Sequence, residues 1–132
     1  MTAQGEREEA FFPGQAGIDA YGNGGFRFAD MSHRGSVLML PSGIYSWPVT
    51  SMAELAVGHF AKVLAEDSGV ELLLLGTGLD MMRPAAGIRE AFKARGIGLD
   101  FMATGAAART YNVLLAEKRA VAAALIAVDN PR

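Results

Sequence analysis

The sequence predicts an α/β domain. It reads as a mixed, partly parallel central sheet with about three helices, preceded by a β-rich first third of short strands. Three observations carry this reading. The second half alternates apolar runs of strand length with segments of helical spacing. The first third sets short apolar runs between Gly- and Pro-rich turns. Leu72–Leu75 is apolar without alternation, as a central strand covered on both faces requires.

Taken in order, residues 1–14 are polar up to Phe11-Phe12-Pro13-Gly14 and read as a flexible tail whose two phenylalanines can dock on the body. Residues 15–132 then form a single compact domain. Tyr21-Gly-Asn-Gly-Gly25 is a tight-turn signal, because Asn and Gly adopt φ > 0 at little cost. Phe26-Arg27-Phe28-Ala29-Asp30 alternates like a half-exposed strand. Gly35–Leu40 reads as a short buried strand stopped by Pro41-Ser-Gly43, and Ile44–Pro48 as another ended by proline.

Ser51-Met-Ala-Glu54 matches a capping box, and apolar or small residues follow at Met52, Leu55, Ala56, Phe60, Val63 and Leu64. With Gly69 beyond the end, this predicts a helix over 51–66. Val70–Leu75 is the central strand and leaves through Gly76-Thr77-Gly78. Pro84 suits a helix first turn and Gly96 a helix end, which predicts a helix over 84–95. Ile97–Met102 returns as a strand. Thr104 can cap a third helix over 105–116. Ala120–Val128 would pass as a helix on alanine content. Its β-branched Val121, Ile126 and Val128, behind the polar Glu117-Lys118-Arg119, favour a strand.

Length and composition narrow the function. A chain of 132 residues is about one domain, and one of this size buries roughly 68–70% of its unfolded surface. The absence of cysteine excludes disulfides, thiolate metal sites, thiol nucleophiles and iron–sulfur clusters. Twelve Lys+Arg against 14 Asp+Glu leave no basic excess for nucleic acid. The acidic N-terminus resembles neither a secretory signal nor a transit peptide. Val37–Leu40, Leu72–Leu75 and Ala120–Val128 all fall short of the ~20 residues that span a bilayer. The expectation is a cytoplasmic protein without a transmembrane segment or cofactor. Short strand edges in the first third leave room for a homodimer.

Few residues carry a signature of chemistry. Gly76-Thr77-Gly78 after a strand invites a dinucleotide reading, but the third glycine of that fingerprint would fall at Met81, and Asp100 alone is a weak ribose contact. The plainer account is a turn needing φ > 0. His33 and His59 lack the spacing of a zinc site; His59 reads as a satisfied helix residue and His33 as a loop residue. No Gly-x-Ser-x-Gly elbow occurs. If the third helix follows a parallel strand, its N-terminus opens at the carboxyl edge of the sheet beside Gly76–Gly78. Gly76, Thr77, Gly78, Thr104, Tyr111 and Asn112 are therefore the candidate crevice. Against it stands the account in which Thr104 only caps, Tyr111 is core and Asn112 bonds loop backbone.

Gly24-Gly25-Phe26-Arg27-Phe28, Gly35-Ser36, Pro41-Ser42-Gly43, Leu72–Gly78, Gly96-Ile97 and Thr110-Tyr111-Asn112-Val113-Leu114-Leu115-Ala116-Glu117 stand in a recognisable order. The chain resembles a small family of domains of unknown function that includes mitochondrial complex I assembly factor 3 and an adipogenesis-associated protein. The resemblance covers Ile18 to Val128 and implies a compact α/β fold with a strand at Ala120–Val128. It supplies no catalytic residues. It implies a role in assembly through protein–protein contacts, with respiratory complex I (NADH:ubiquinone oxidoreductase) subunits or assembly proteins as partners. The chain's acidic N-terminus does not read as the transit peptide of the mitochondrial member, so the expectation is a bacterial relative. Where the family usually has glycine after the Thr-Tyr-Asn helix, this chain has Lys118, which implies a looser or different turn within the same fold.

Two readings follow. One is a non-catalytic accessory protein that holds a partner on an exposed apolar patch. Its seven methionines suit adaptable contacts, although Met81, Met82 and Met102 read equally as core. The other is a small-molecule-binding protein or enzyme built on the crevice at Gly76–Gly78 and Thr104–Asn112.

Overall fold

A computed structural model describes residues 12–66 and 69–131. Residues 1–11, most of the expected tail, lie outside the described residues, as does Phe11. Phe12 is described and does dock: Phe12–Pro13 (β1) pairs antiparallel with Gly43–Trp47 (β6). Ala20–Gly22 (β2), Gly25–Phe28 (β3) and Met31–Arg34 (β4) form a small antiparallel sheet. His33 thus sits in a strand and not in a loop, where its Nε2–H donates to the Ser36 carbonyl at 3.1 Å.

The main sheet has six strands in the order β1-β6-β5-β9-β7-β8, where β5 is Ser36–Leu40, β7 Leu72–Gly76, β8 Gly98–Met102 and β9 Val121–Leu125. β7 runs parallel to both neighbours, β8 and β9, whereas β5 pairs antiparallel with β9 and with β6. The apolar run of β7 is explained by this interior position. Leu73 and Leu75 face a core with Phe60, Val63, Ile88 and Phe92. Leu74 faces the opposite core with Phe26, Phe28, Ala107 and Tyr111. The alanine-rich segment is a strand because β9 fills the gap between β5 and β7, where no wide side chain is needed on either face.

Among the described residues three helices cover the sheet: Ala61–Leu64 (α1), Ala86–Ala94 (α2) and Thr104–Ala116 (α3). α2 and α3 match the expected helices. The helix expected over 51–66 does not form as one element. Met52–Glu54 and Val57–Phe60 are separate 3-10 turns, and only the last turn, α1, is α-helical. Leu55 and Ala56 are extended, with ψ of 131° and 163°. The Glu54 carboxylate accepts from the N–H groups of Thr50 and Ser51 and from the Thr50 hydroxyl, closing the first turn on itself. His59 Nδ1 then accepts the Ala56 N–H at 3.0 Å and starts a second turn. The break lets the Trp47 indole N–H reach the His59 carbonyl at 2.8 Å and puts Phe60 against Trp47 and Phe92, with ring centres 5.6 and 5.1 Å away. Packing here overrides a weak local preference.

The turn after α3 also differs from expectation. Lys118 has φ +62°, its N–H donates to the Leu115 carbonyl, and the Arg119 N–H donates to the Leu114 carbonyl. This is the tight paired closure usual for glycine, with lysine forced into the left-handed region. The turn is therefore not looser.

Candidate functional site

The carboxyl ends of β7 and β8 bring two loops together. Gly76 touches the start of α3 so closely that a Cβ there would lie 3.0 Å from Thr104 Cα and 2.9 Å from Leu125 Cδ2. Only glycine admits that approach. Gly78, at φ +109°, turns the chain out of the sheet. Its N–H donates to Thr104 Oγ1 at 2.9 Å, and its carbonyl accepts the Thr104 N–H at 2.8 Å. The Thr104 hydroxyl donates in turn to the Ile126 carbonyl at 2.7 Å. Thr104 is fully buried and occupies the first helical position, with Ala103 as the cap residue, so it does not cap α3. It ties the exits of β7 and β9 to the helix start.

Thr77 does comparable work for the loop beyond. Its hydroxyl donates to the Asp80 carbonyl at 2.6 Å and accepts the Met82 N–H at 3.1 Å, while its own N–H is held by the Met102 carbonyl at 2.9 Å. The Arg83 guanidinium lies over the Phe101 ring at 5.5 Å, and Pro84 is buried. The loop is thus pinned at both ends. Between the pins its apolar side chains face solvent: Leu79 is 42% exposed, Met81 65% and Met82 52%. Met81 and Met82 are not core, and Met102 is half-buried.

The six candidate residues do not line one crevice. Thr77 and Gly78 line a cleft of about 410 Å³ together with Thr50–Met52, Leu79, Asp80, Met82 and residues 126–130. Gly76 and Thr104 are packed beneath it. Tyr111 and Asn112 point elsewhere. The Tyr111 hydroxyl donates to the Ala16 carbonyl at 3.0 Å, and burial pushes its pKa up. The Asn112 side-chain amide accepts the Ile18 N–H and donates to the Ile18 carbonyl, both at 2.8 Å. These two residues hold the entry segment of the domain against α3. Asp100 is exposed on the edge strand β8 and accepts the adjacent Phe101 N–H at 3.0 Å. The feature missed in the sequence is the exposed Leu79-Asp80-Met81-Met82 tip. The available signal was a stretch between a strand exit and Pro84 whose apolar residues fit neither strand nor helix periodicity.

A mixed sheet carrying three helices, with a separate small antiparallel sheet and a pinned apolar loop at its carboxyl edge, defines the class. Residues 18–126 match the family described as protein of unknown function (DUF498/DUF598), and the chain belongs to that family. It is 40% identical to an uncharacterised protein of Rhodobacter capsulatus over 89% of this chain and 90% of that one. It is 35% identical to NADH dehydrogenase [ubiquinone] 1 alpha subcomplex assembly factor 3 of Danio rerio, over 83% of this chain and 63% of that protein. The match thus spans about three-fifths of that assembly factor's length. Among solved structures, a Bartonella henselae protein described as an outer membrane protein shares 53% identity at TM-score 0.86, over 89% of this chain and 99% of that one. The Mth938-like domain from Bordetella pertussis shares 27% identity at TM-score 0.74, over 88% of each chain. Among the described residues no helix is long and apolar enough to cross a membrane.

Proposed function

We propose that this protein is a non-catalytic accessory factor in the assembly of respiratory complex I, working in the cytoplasm through protein–protein contacts. The observation that carries the reading is the Leu79–Met82 tip. A loop fixed at both ends by threonine hydroxyls and an arginine–aromatic contact presents apolar side chains to water. Exposed apolar clusters mark interaction surfaces, and methionine adapts its shape to varied partners. The relatives named as complex I assembly factors support the choice of process. The small-molecule reading has less support, because Gly76, Thr104, Tyr111 and Asn112 spend their polar groups on internal bonds.

The test is genetic. Deletion of the gene in its host should lower the amount of assembled complex I on native gels and the NADH:quinone activity of membranes. The wild-type gene should restore both. Met81→Ser with Met82→Ser should fail to restore them while changing folding stability by less than about 0.5 kcal/mol, since both side chains are at the surface. Fully assembled, active complex I in the deletion strain would overturn the proposal.

A further inference from the structure

The chain has no cysteine, so its thioethers are the side chains that take up an oxygen atom most readily, and the fold sorts them by access. Met39 has no exposed surface. Met31 and Met102 are half-buried against one core and Met52 against the other, and the Met102 sulfur also accepts the Thr110 hydroxyl at 3.6 Å. Met1 lies outside the described residues. Met81 and Met82 stand apart, 65% and 52% exposed and adjacent on the Leu79–Met82 tip. We propose that Met81 and Met82 form a site of reversible oxidation by hydroperoxides, and that sulfoxide at this pair closes the tip to an apolar partner. The second clause rests on the assembly reading above.

In the oxidation a sulfur lone pair attacks one oxygen of hydrogen peroxide. The S–O bond forms as the O–O bond breaks, the released hydroxide takes the proton from the transferred oxygen, and water leaves. The sulfur gives up two electrons and the peroxide takes them. Methionine sulfoxide reductases reverse the step with two thiols, which become a disulfide as the oxygen departs in water. The loop can carry this change because the contacts that pin it are made by backbone, hydroxyl and ring. The Thr77 hydroxyl holds the Asp80 carbonyl and the Met82 N–H, Arg83 lies over Phe101, and Pro84 is buried. An added oxygen therefore leaves the backbone of the tip in place and alters what the tip presents. A thioether is apolar and pliable, whereas a sulfoxide carries a strong acceptor that must keep its water or find a donor. An apolar contact surface supplies no donor. Because the two sulfurs are neighbours, oxidation of the pair leaves Leu79 as the tip's remaining apolar side chain.

The experiment treats the purified full chain with hydrogen peroxide and follows each methionine by peptide mass spectrometry. Sulfoxide should form at Met81 and Met82 about tenfold or more faster than at Met39, and ahead of Met31, Met52 and Met102; in urea the differences should vanish. The circular dichroism spectrum should not change, and sulfoxide reductases should restore both thioethers. In the deletion strain, Met81→Leu with Met82→Leu keeps an apolar tip without sulfur. It should restore complex I and sustain its assembly after a peroxide dose that lowers assembly in cells carrying the wild-type gene. Met81→Gln with Met82→Gln, a polar stand-in for sulfoxide, should fail to restore it. Oxidation of Met39 as fast as the tip, unfolding on oxidation, full complementation by the glutamine variant, or equal peroxide sensitivity of the leucine and wild-type strains would overturn the inference. Unselective oxidation with complementation still lost in the Met81→Ser, Met82→Ser variant would remove the modification site and leave the assembly reading. Selective oxidation with normal complex I in the deletion strain would remove the assembly reading, and the closing of the tip with it, and leave the modification site.

Discussion

Replacing Thr104 by valine tests the junction on which the loop geometry depends. Valine keeps the shape of threonine and removes only the hydroxyl. That hydroxyl accepts the Gly78 N–H at 2.9 Å and donates to the Ile126 carbonyl at 2.7 Å, in a residue with no exposed surface. The variant therefore leaves one backbone donor and one acceptor buried without a partner. Each of the two unsatisfied groups costs about 1–3 kcal/mol, and the extra apolar methyl returns about 0.8 kcal/mol, which places the net loss at about 1–5 kcal/mol. Thr104→Ser keeps the hydroxyl and loses one methyl, so it should cost about 1 kcal/mol. The order matters more than the values. A purely hydrophobic account predicts that valine is the better tolerated of the two, and the hydrogen-bond account predicts the opposite. Urea unfolding followed by circular dichroism measures both. With a slope of about 2 kcal/mol/M, Thr104→Val should move the midpoint down by about 0.5–2.5 M at unchanged slope. The Gly78 amide should also exchange faster with solvent in that variant. A valine variant as stable as the serine variant would refute the reasoning.

Two further outcomes follow from the fold. Lys118→Gly should raise stability by about 0.5–1 kcal/mol, because Lys118 holds φ +62° in a closure that glycine enters without steric cost; a loss of stability in urea titration would contradict this. The Tyr111 phenol has its pKa raised by burial above the ordinary value of about 10. A raised value means that the folded state resists deprotonation, so this contribution is complete below pH ~10 and declines as pH rises further. Wild-type stability should accordingly fall with rising alkaline pH, and Tyr111→Phe, which also forfeits the bond to Ala16, should fall less steeply; parallel slopes would show that Tyr111 is not the titrating group.

The legible parts of this protein were those set by which face of an element is apolar. The uninterrupted run at Leu72–Leu75 specified a strand with a core on each side, and it lies between β8 and β9. Alternation and turn residues marked β3, β5 and β6, and Pro84 with Gly96 marked α2. Branched residues among the alanines of Ala120–Val128 correctly outweighed helix propensity. The segment 51–66 misled because its capping signal is genuine but satisfied within one turn, and His59 at Ala56 starts another.

Local pattern thus reports the type of each element and its buried side, since these depend on neighbours a few residues away. It does not report which distant groups complete a hydrogen bond. Thr104 meets partners 22 and 26 positions away, and Asn112 meets Ile18 across 94. Those closures settled that Thr104 is a strut, that Tyr111 and Asn112 clamp the entry segment, and that Met81 and Met82 face water. Burial at such positions is a property of the assembled chain, and it arises only once the two strand exits and the start of α3 meet.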